Sequence, residues 1–139
     1  MYIDACARLE LPFEEIRRRL LTVSPERGRE MTVPVAGLPV GKTVEVELDT
    51  PFDGDGFVSL PMRWRATWPS SAYPSFDGEL ELTRVCDGSA ELWLIGCYEP
   101  PLGAIGRALD RTVLHAVAND SVRHVLAGVA SRLQHPAAA

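Results

Sequence analysis

Apolar and polar residues alternate along four stretches of this chain. In residues 2–11, Ile3, Ala5, Ala7, Leu9 and Leu11 fall on one side, and Asp4, Arg8 and Glu10 on the other. Period two over that length predicts a strand with one buried face. Val44, Val46 and Leu48 oppose Glu45, Glu47 and Asp49. Met62, Trp64, Ala66 and Trp68 oppose Arg63, Arg65 and Thr67, and Leu80 and Leu82 oppose Glu79, Glu81 and Thr83. One-sided burial of this kind predicts an antiparallel sheet with one wet face. The stretches 51–56 and 69–78 between them are rich in Gly, Pro, Asp and Ser and read as turns. Pro34, Gly37, Pro39 and Gly41 leave residues 33–41 at best a broken edge strand.

Parity tests the last hairpin. A two-residue Asp87-Gly88 turn would set Leu82 opposite Trp93, because side chains directly across a ladder share a face. A three-residue loop Cys86-Asp87-Gly88, with Gly88 left-handed, sets Leu82 opposite Leu92 and Leu80 opposite Leu94. The second register keeps the leucines together, puts Gly96 and Tyr98 on the inner face and leaves Trp93 and Ile95 outside. It is the favoured one, and a one-residue slip would exchange the two sets.

Helical spacing appears in three places. Phe13, Ile16, Leu20 and Leu21 predict a helix over 13–22, opened by Pro12 and favoured by Glu14 and Glu15 at its N-terminus. Ser24-Pro25-Glu26 reads as the start of a second, short helix that Gly28 interrupts. From Gly103 to Gln134 only glycines oppose a helix. Ile105, Leu109, Val113 and Val117 form one stripe there, and Val122, Val125, Leu126, Val129 and Leu133 another, displaced around the axis. Either the helix kinks near Asn119-Asp120-Ser121, or its halves bury against different surfaces.

These elements give an α+β fold in which about six antiparallel strands curve around a long C-terminal helix. At 139 residues the chain suits one domain, expected over 1–135 with a frayed tail at 136–139. No run approaches the ~18 apolar residues of a membrane span and no basic-then-apolar signal opens the chain, so a cytoplasmic protein is expected. The net charge of −5 is the wrong balance for nucleic acid. Arg17, Arg18 and Arg19 form the one basic run, either the solvated side of the first helix or an anion site. Lys42 is the only lysine, a bias of GC-rich coding. Cys6, Cys86 and Cys97 show no CxxC spacing, so buried or idle thiols are expected, with no metal site and no cofactor.

The run Tyr73-Pro74-Ser75-Phe76-Asp77-Gly78-Glu79-Leu80-Glu81-Leu82, continuing through the hairpin into Tyr98-Glu99-Pro100-Pro101-Leu102-Gly103-Ala104-Ile105-Gly106 and Asp110, resembles the START-like superfamily. Its other name is SRPBCC, and it includes bacterial polyketide cyclase/dehydrase-type proteins. The resemblance implies a helix-grip fold. It also implies a hydrophobic pocket between sheet and final helix, for lipids, polyketides or other apolar molecules. A fold shared by carriers, cyclases and proteins of no known activity assigns none of these by itself.

Candidate pocket residues follow from the inward registers: Trp64, Trp68, Leu80, Leu82, Leu94 and Tyr98, each either lining a pocket or filling core. Arg84 shares that register and either reaches a ligand oxygen or snorkels to water. His115 is the one acid/base candidate near neutral pH. It points into the pocket with Arg111 if the Val122 stripe faces the sheet along the whole helix, and into solvent otherwise. His124 is expected at the surface, and neither Asp110 nor Asp120 has the spacing to orient His115. Three functions remain open. The first is binding of a small hydrophobic molecule; the second is a cyclase/dehydrase-like reaction with His115 as base and Arg84 or Tyr98 stabilising an enolate. The third is an interaction module using Trp93 and Ile95, a homodimer included.

Overall fold

A computed structural model describes residues 1–22, 26–33, 42–66, 75–99 and 111–135, with side chains placed for most of them. The chain begins with strand β1 (Tyr2–Leu9) and helix α1 (Phe13–Leu21). Strands β2 (Glu26–Val33), β3 (Lys42–Leu48), β4 (Phe52–Asp53), β5 (Phe57–Ala66), β6 (Ser75–Cys86) and β7 (Ser89–Glu99) follow, and helix α2 (Arg111–Gln134) ends it. The strands form one antiparallel sheet in the order β1-β7-β6-β5-β3-β2, with the two-residue β4 added to β5 beyond the end of β3. β1 and β2 are the two edges, and both touch α2. A sheet whose opposite edges meet one helix must be curved around it, which is the helix-grip arrangement.

Inward side chains form rows across the strands. Val58, Leu82, Leu92 and Ala7 make the first row, and Leu60, Leu80, Leu94 and Ala5 the second. Met62, Gly78, Gly96 and Ile3 make the third, and Val46, Trp64, Phe76 and Tyr98 the fourth. Every one of these except Ala7 and Gly78 is buried. The outer face is polar and carries cross-strand pairs: Glu47 accepts from Arg63 at 2.8 Å, and the Ser59 hydroxyl donates to Glu79 at 2.7 Å.

The hairpin keeps the predicted register, Leu82 opposite Leu92 and Leu80 opposite Leu94, but by a different device. Cys86 pairs with Ser89 across a two-residue turn, and a register shift between Arg84 and Cys86 leaves Val85 as the extra residue of a bulge. Gly88 is not left-handed, which corrects that part of the expectation. Gly56 is the one described residue with positive φ, at 79°, in the turn between β4 and β5 where the Gly54 amide donates to the Phe57 carbonyl. Pro61 sits inside β5 without breaking its ladder. Its carbonyl accepts from Asp49 on the side where β3 gives way to β4, so its missing N–H faces that gap.

The second helix expected from Ser24-Pro25-Glu26 is corrected: Glu26–Val33 is strand β2, paired to β3. Residues 34–41 and Trp68 lie outside the described residues, as do 103–110 of the expected final helix. Phe52–Asp53, read as part of a turn, is β4.

α1 covers the hairpin end of the sheet with Phe13, Ile16 and Leu20, all buried. The arginine run is engaged in pairs. Arg17 pairs with Asp53 on β4, Arg18 with Glu15, and Arg19 with Glu15 and the Leu133 carbonyl near the end of α2. A cation there answers the unsatisfied carbonyls and the negative end of the helix dipole. α2 runs unbroken through Asn119-Asp120-Ser121 and buries Ala118, Ser121, Val122, Val125, Leu126, Ala130 and Leu133. No described helix is long and apolar enough to cross a membrane.

Candidate functional site

The fourth inner row is where the described chain gathers chemistry. Parity puts Trp64, Phe76 and Tyr98 side by side on β5, β6 and β7, and the row before it holds two glycines. With no side chains at Gly78 and Gly96, the Phe76 ring tips into the space above them. A Cβ built on either glycine would lie 2.8 Å from Phe76 Cζ. Trp64 then stacks on Phe76, with ring centroids 4.4 Å apart and planes 18° from parallel.

Two polar atoms are buried in this apolar row. Trp64 Nε1 has no hydrogen-bond partner among the described residues. The Tyr98 hydroxyl is enclosed against Ser121 of α2, itself buried. Burial pushes the Tyr98 phenol up to about 12, and the Ser121 hydroxyl opposes that shift. A raised acid pKa in the folded state stabilises the fold fully below the ordinary phenol value, and the gain is lost as pH rises through the folded value. The stability gap between wild type and Tyr98→Phe should therefore shrink by about 2–3 kcal/mol between pH 9 and pH 12. Urea midpoints at the two pH values, with absorbance at 295 nm following the phenolate, check this. A phenol titrating near pH 10 in the folded protein would refute it.

The sequence candidates do not converge on this row. Leu80, Leu82 and Leu94 are sealed in the first two rows at 0–2 % exposure. Arg84 sits at the hairpin end, exposed, donating to Glu14 at 3.0 Å with its guanidinium 5.0 Å from the centroid of Phe13. Its partner Ala90 is eight residues along β7 from Tyr98, about 25 Å at ~3.3 Å per residue, so the two cannot hold one small ligand. His115 is exposed. It lies six residues before Ser121, about 9 Å further along the axis, and so beyond the row that Ser121 faces. The Arg111 side chain lies outside the described atoms. Sequence reasoning missed Phe76, which parity with Leu80 and Leu82 could have supplied. It also missed Ser121, a polar residue within an apolar stripe.

All three cysteines are exposed and free, which removes the buried half of the expectation of buried or idle thiols. Partial burial first, then Glu91 and Asp4, push the Cys6 thiol up, whereas the contact with Ser89 draws Cys86 down. No group of three His, Cys, Asp or Glu among the described residues could hold a metal ion. Several clefts are formed by described residues. They include one of about 330 Å³ beside Arg63, Asp77 and Glu99, and one of about 490 Å³ along β1.

No protein-family model and no curated protein matches the chain. Among solved structures, it is similar to a conserved protein from Geobacillus kaustophilus with a TM-score of 0.59 and 13% identity, over 96% of this chain and 95% of that one. A hypothetical protein from Helicobacter pylori aligns with a TM-score of 0.55 and 10% identity, over 94% and 85%. An aromatase/cyclase from a Streptomyces species aligns over 100% and 99% at a TM-score of 0.45 and 10% identity. The first two likenesses are likenesses of fold.

Proposed function

We propose that this chain binds a small, flat, hydrophobic molecule carrying a hydrogen-bond acceptor, between the Trp64–Phe76–Tyr98 row and α2. The observation that carries the reading is the buried Trp64 Nε1, which has no partner among the described residues. A buried donor without an acceptor costs about 1–3 kcal/mol, and a ligand oxygen placed there removes that cost. The ligand's own apolar surface supplies the rest as it leaves water for this buried row, at about 25 cal/mol per Å² before ordering costs. His115 takes no part in binding on this reading, and His115→Ala is expected to bind as wild type does.

Mass spectrometry of the purified protein, native and then denatured, should reveal a co-purified apolar molecule at one per chain. Independently, fluorenone, which has a carbonyl acceptor, should bind several-fold more tightly than fluorene, which has none. Trp64→Phe keeps an aromatic, though smaller, ring and removes the donor, so it should abolish that preference. An empty spectrum together with no saturable binding of either probe would sink the proposal.

A further inference from the structure

We propose that the exposed edge of β1 is a self-association surface, on which two copies of this chain pair antiparallel about Cys6. The strand ends the sheet order, and no described strand lies on its outer side. The direction of its free groups follows from one hydrogen bond. The Met1 carbonyl accepts from the Tyr98 amide at 2.7 Å, so the odd-numbered residues turn their backbone groups toward β7. Tyr2, Asp4, Cys6 and Arg8 therefore turn their N–H and C=O groups outward, and all four are exposed.

The two edges of the sheet differ in how they are guarded. β2 carries Glu26, Arg27, Gly28, Arg29 and Glu30 and a register shift between Glu26 and Arg29, devices that discourage edge pairing. β1 has no proline, no glycine and no register shift in its ladder over eight residues, and its inward residues Ile3, Ala5, Ala7 and Leu9 are all apolar. The cleft of about 490 Å³ along this edge is walled by Cys6, Ala7 and Trp93 on one side and Arg123 and Ala127 of α2 on the other. α2 packs more extensively against β1 than against any other strand, so the helix flanks this edge, and the cleft between them is where a second strand would enter.

Charge selects the occupant and the register. Pairing β1 with its own copy about Cys6 sets Asp4 opposite Arg8 of the second copy, twice, by the two-fold symmetry of the dimer. Asp4 makes no ion pair among the described residues. Arg8 makes a long one to Glu10, at 3.4 Å, and donates to the Ser89 hydroxyl at 3.1 Å, so its pairing with Asp4 of the second copy exchanges one or both of these contacts. The same register puts the outward backbone groups of residues 4, 6 and 8 directly opposite one another, where each facing pair exchanges two hydrogen bonds. The surface is distinct from the proposed ligand site and from the outward Trp93–Ile95 patch alone.

Sedimentation equilibrium on wild type, Asp4→Arg, Arg8→Asp and the double reversal tests this. Wild type should show a concentration-dependent dimer. Each single reversal sets like charges opposite and should weaken it at least tenfold, and the double reversal should restore it to within about threefold. Hydrogen exchange on wild type needs no variant. The amides of Asp4, Cys6 and Arg8 should gain protection as concentration rises, while those of β2 do not. A strict monomer at every concentration, a dimer indifferent to the single reversals, or concentration-independent exchange along β1 would each overturn the proposal.

Discussion

Gly96→Val should cost at least about 3 kcal/mol of stability and leave little folded protein at 37 °C. Gly96 and Gly78 face each other on β7 and β6, at the point where Phe76 leans across the sheet. A Cβ on Gly96 would stand 2.5 Å from Gly78 Cα and 2.8 Å from Phe76 Cζ, and it would meet the Asp77 carbonyl as well. Two of those three neighbours are backbone in the middle of the sheet, so relief requires moving a strand and not turning a side chain. Overpacking of a well-packed core costs about 1–3 kcal/mol, and a backbone obstacle puts this site at the top of that range or beyond. Typical domains have only about 5–15 kcal/mol in total. Gly128 on the exposed side of α2 is the contrast. Nothing lies within 4 Å of a Cβ there, and Gly128→Ala should stabilise by about 0.5–1 kcal/mol through helix propensity. Urea unfolding followed by circular dichroism reads both signs. A Gly96→Val protein within 1 kcal/mol of wild type would show that the Gly78–Gly96 contact is not this close in solution.

Much of the sheet was legible because a buried face has period two and a slip of one residue inverts it. Ile3, Val46, Trp64, Leu82 and Tyr98 all face inward as alternation requires. The hairpin shows what alternation does and does not carry. A three-residue loop, and a two-residue turn with one bulged residue, shift the register equally, so the leucine pairs were readable while the bulge at Val85 was not. β2 was misread because its polar N-terminal half has no apolar alternation, and Ser24-Pro25 carries the chemistry of a helix start. An edge strand guarded by charge is the kind of strand that alternation does not find. The site depended on longer-range facts still. His115 and Val122 are seven residues apart and share a helix face by spacing, yet one is exposed and the other buried. Burial along one helix face depends on what packs over each turn, and no local pattern records that. Arg84 fits the inward register too, but its strand bulges at the next residue and the side chain finds Glu14 and Phe13 of α1 outside the core.

Trp64→Ala is expected to destabilise the ligand-free protein by about 3–5 kcal/mol, with a fall in Tm of about 10–20 °C. Trp64 is among the largest fully enclosed side chains, and its ring covers Phe76 over a stacked face. Its removal exposes Phe76 and Val46 to a void that neighbouring β-sheet cannot collapse to fill, so the cavity cost adds to the lost burial. Indole added to the variant should recover part of the loss, because an apolar cavity of that shape accepts an apolar guest. This outcome bears on function through its size. Packing contributes to stability through the whole ring, whereas a buried N–H with no acceptor among the described residues works against it, so the alanine and phenylalanine variants separate the two effects. A large loss for Trp64→Ala with unaltered ligand preference in Trp64→Phe would make Trp64 core alone. A loss below about 1 kcal/mol would mean that the ring borders open space in the free protein, and that the row is already hollow enough to receive its ligand without rearrangement.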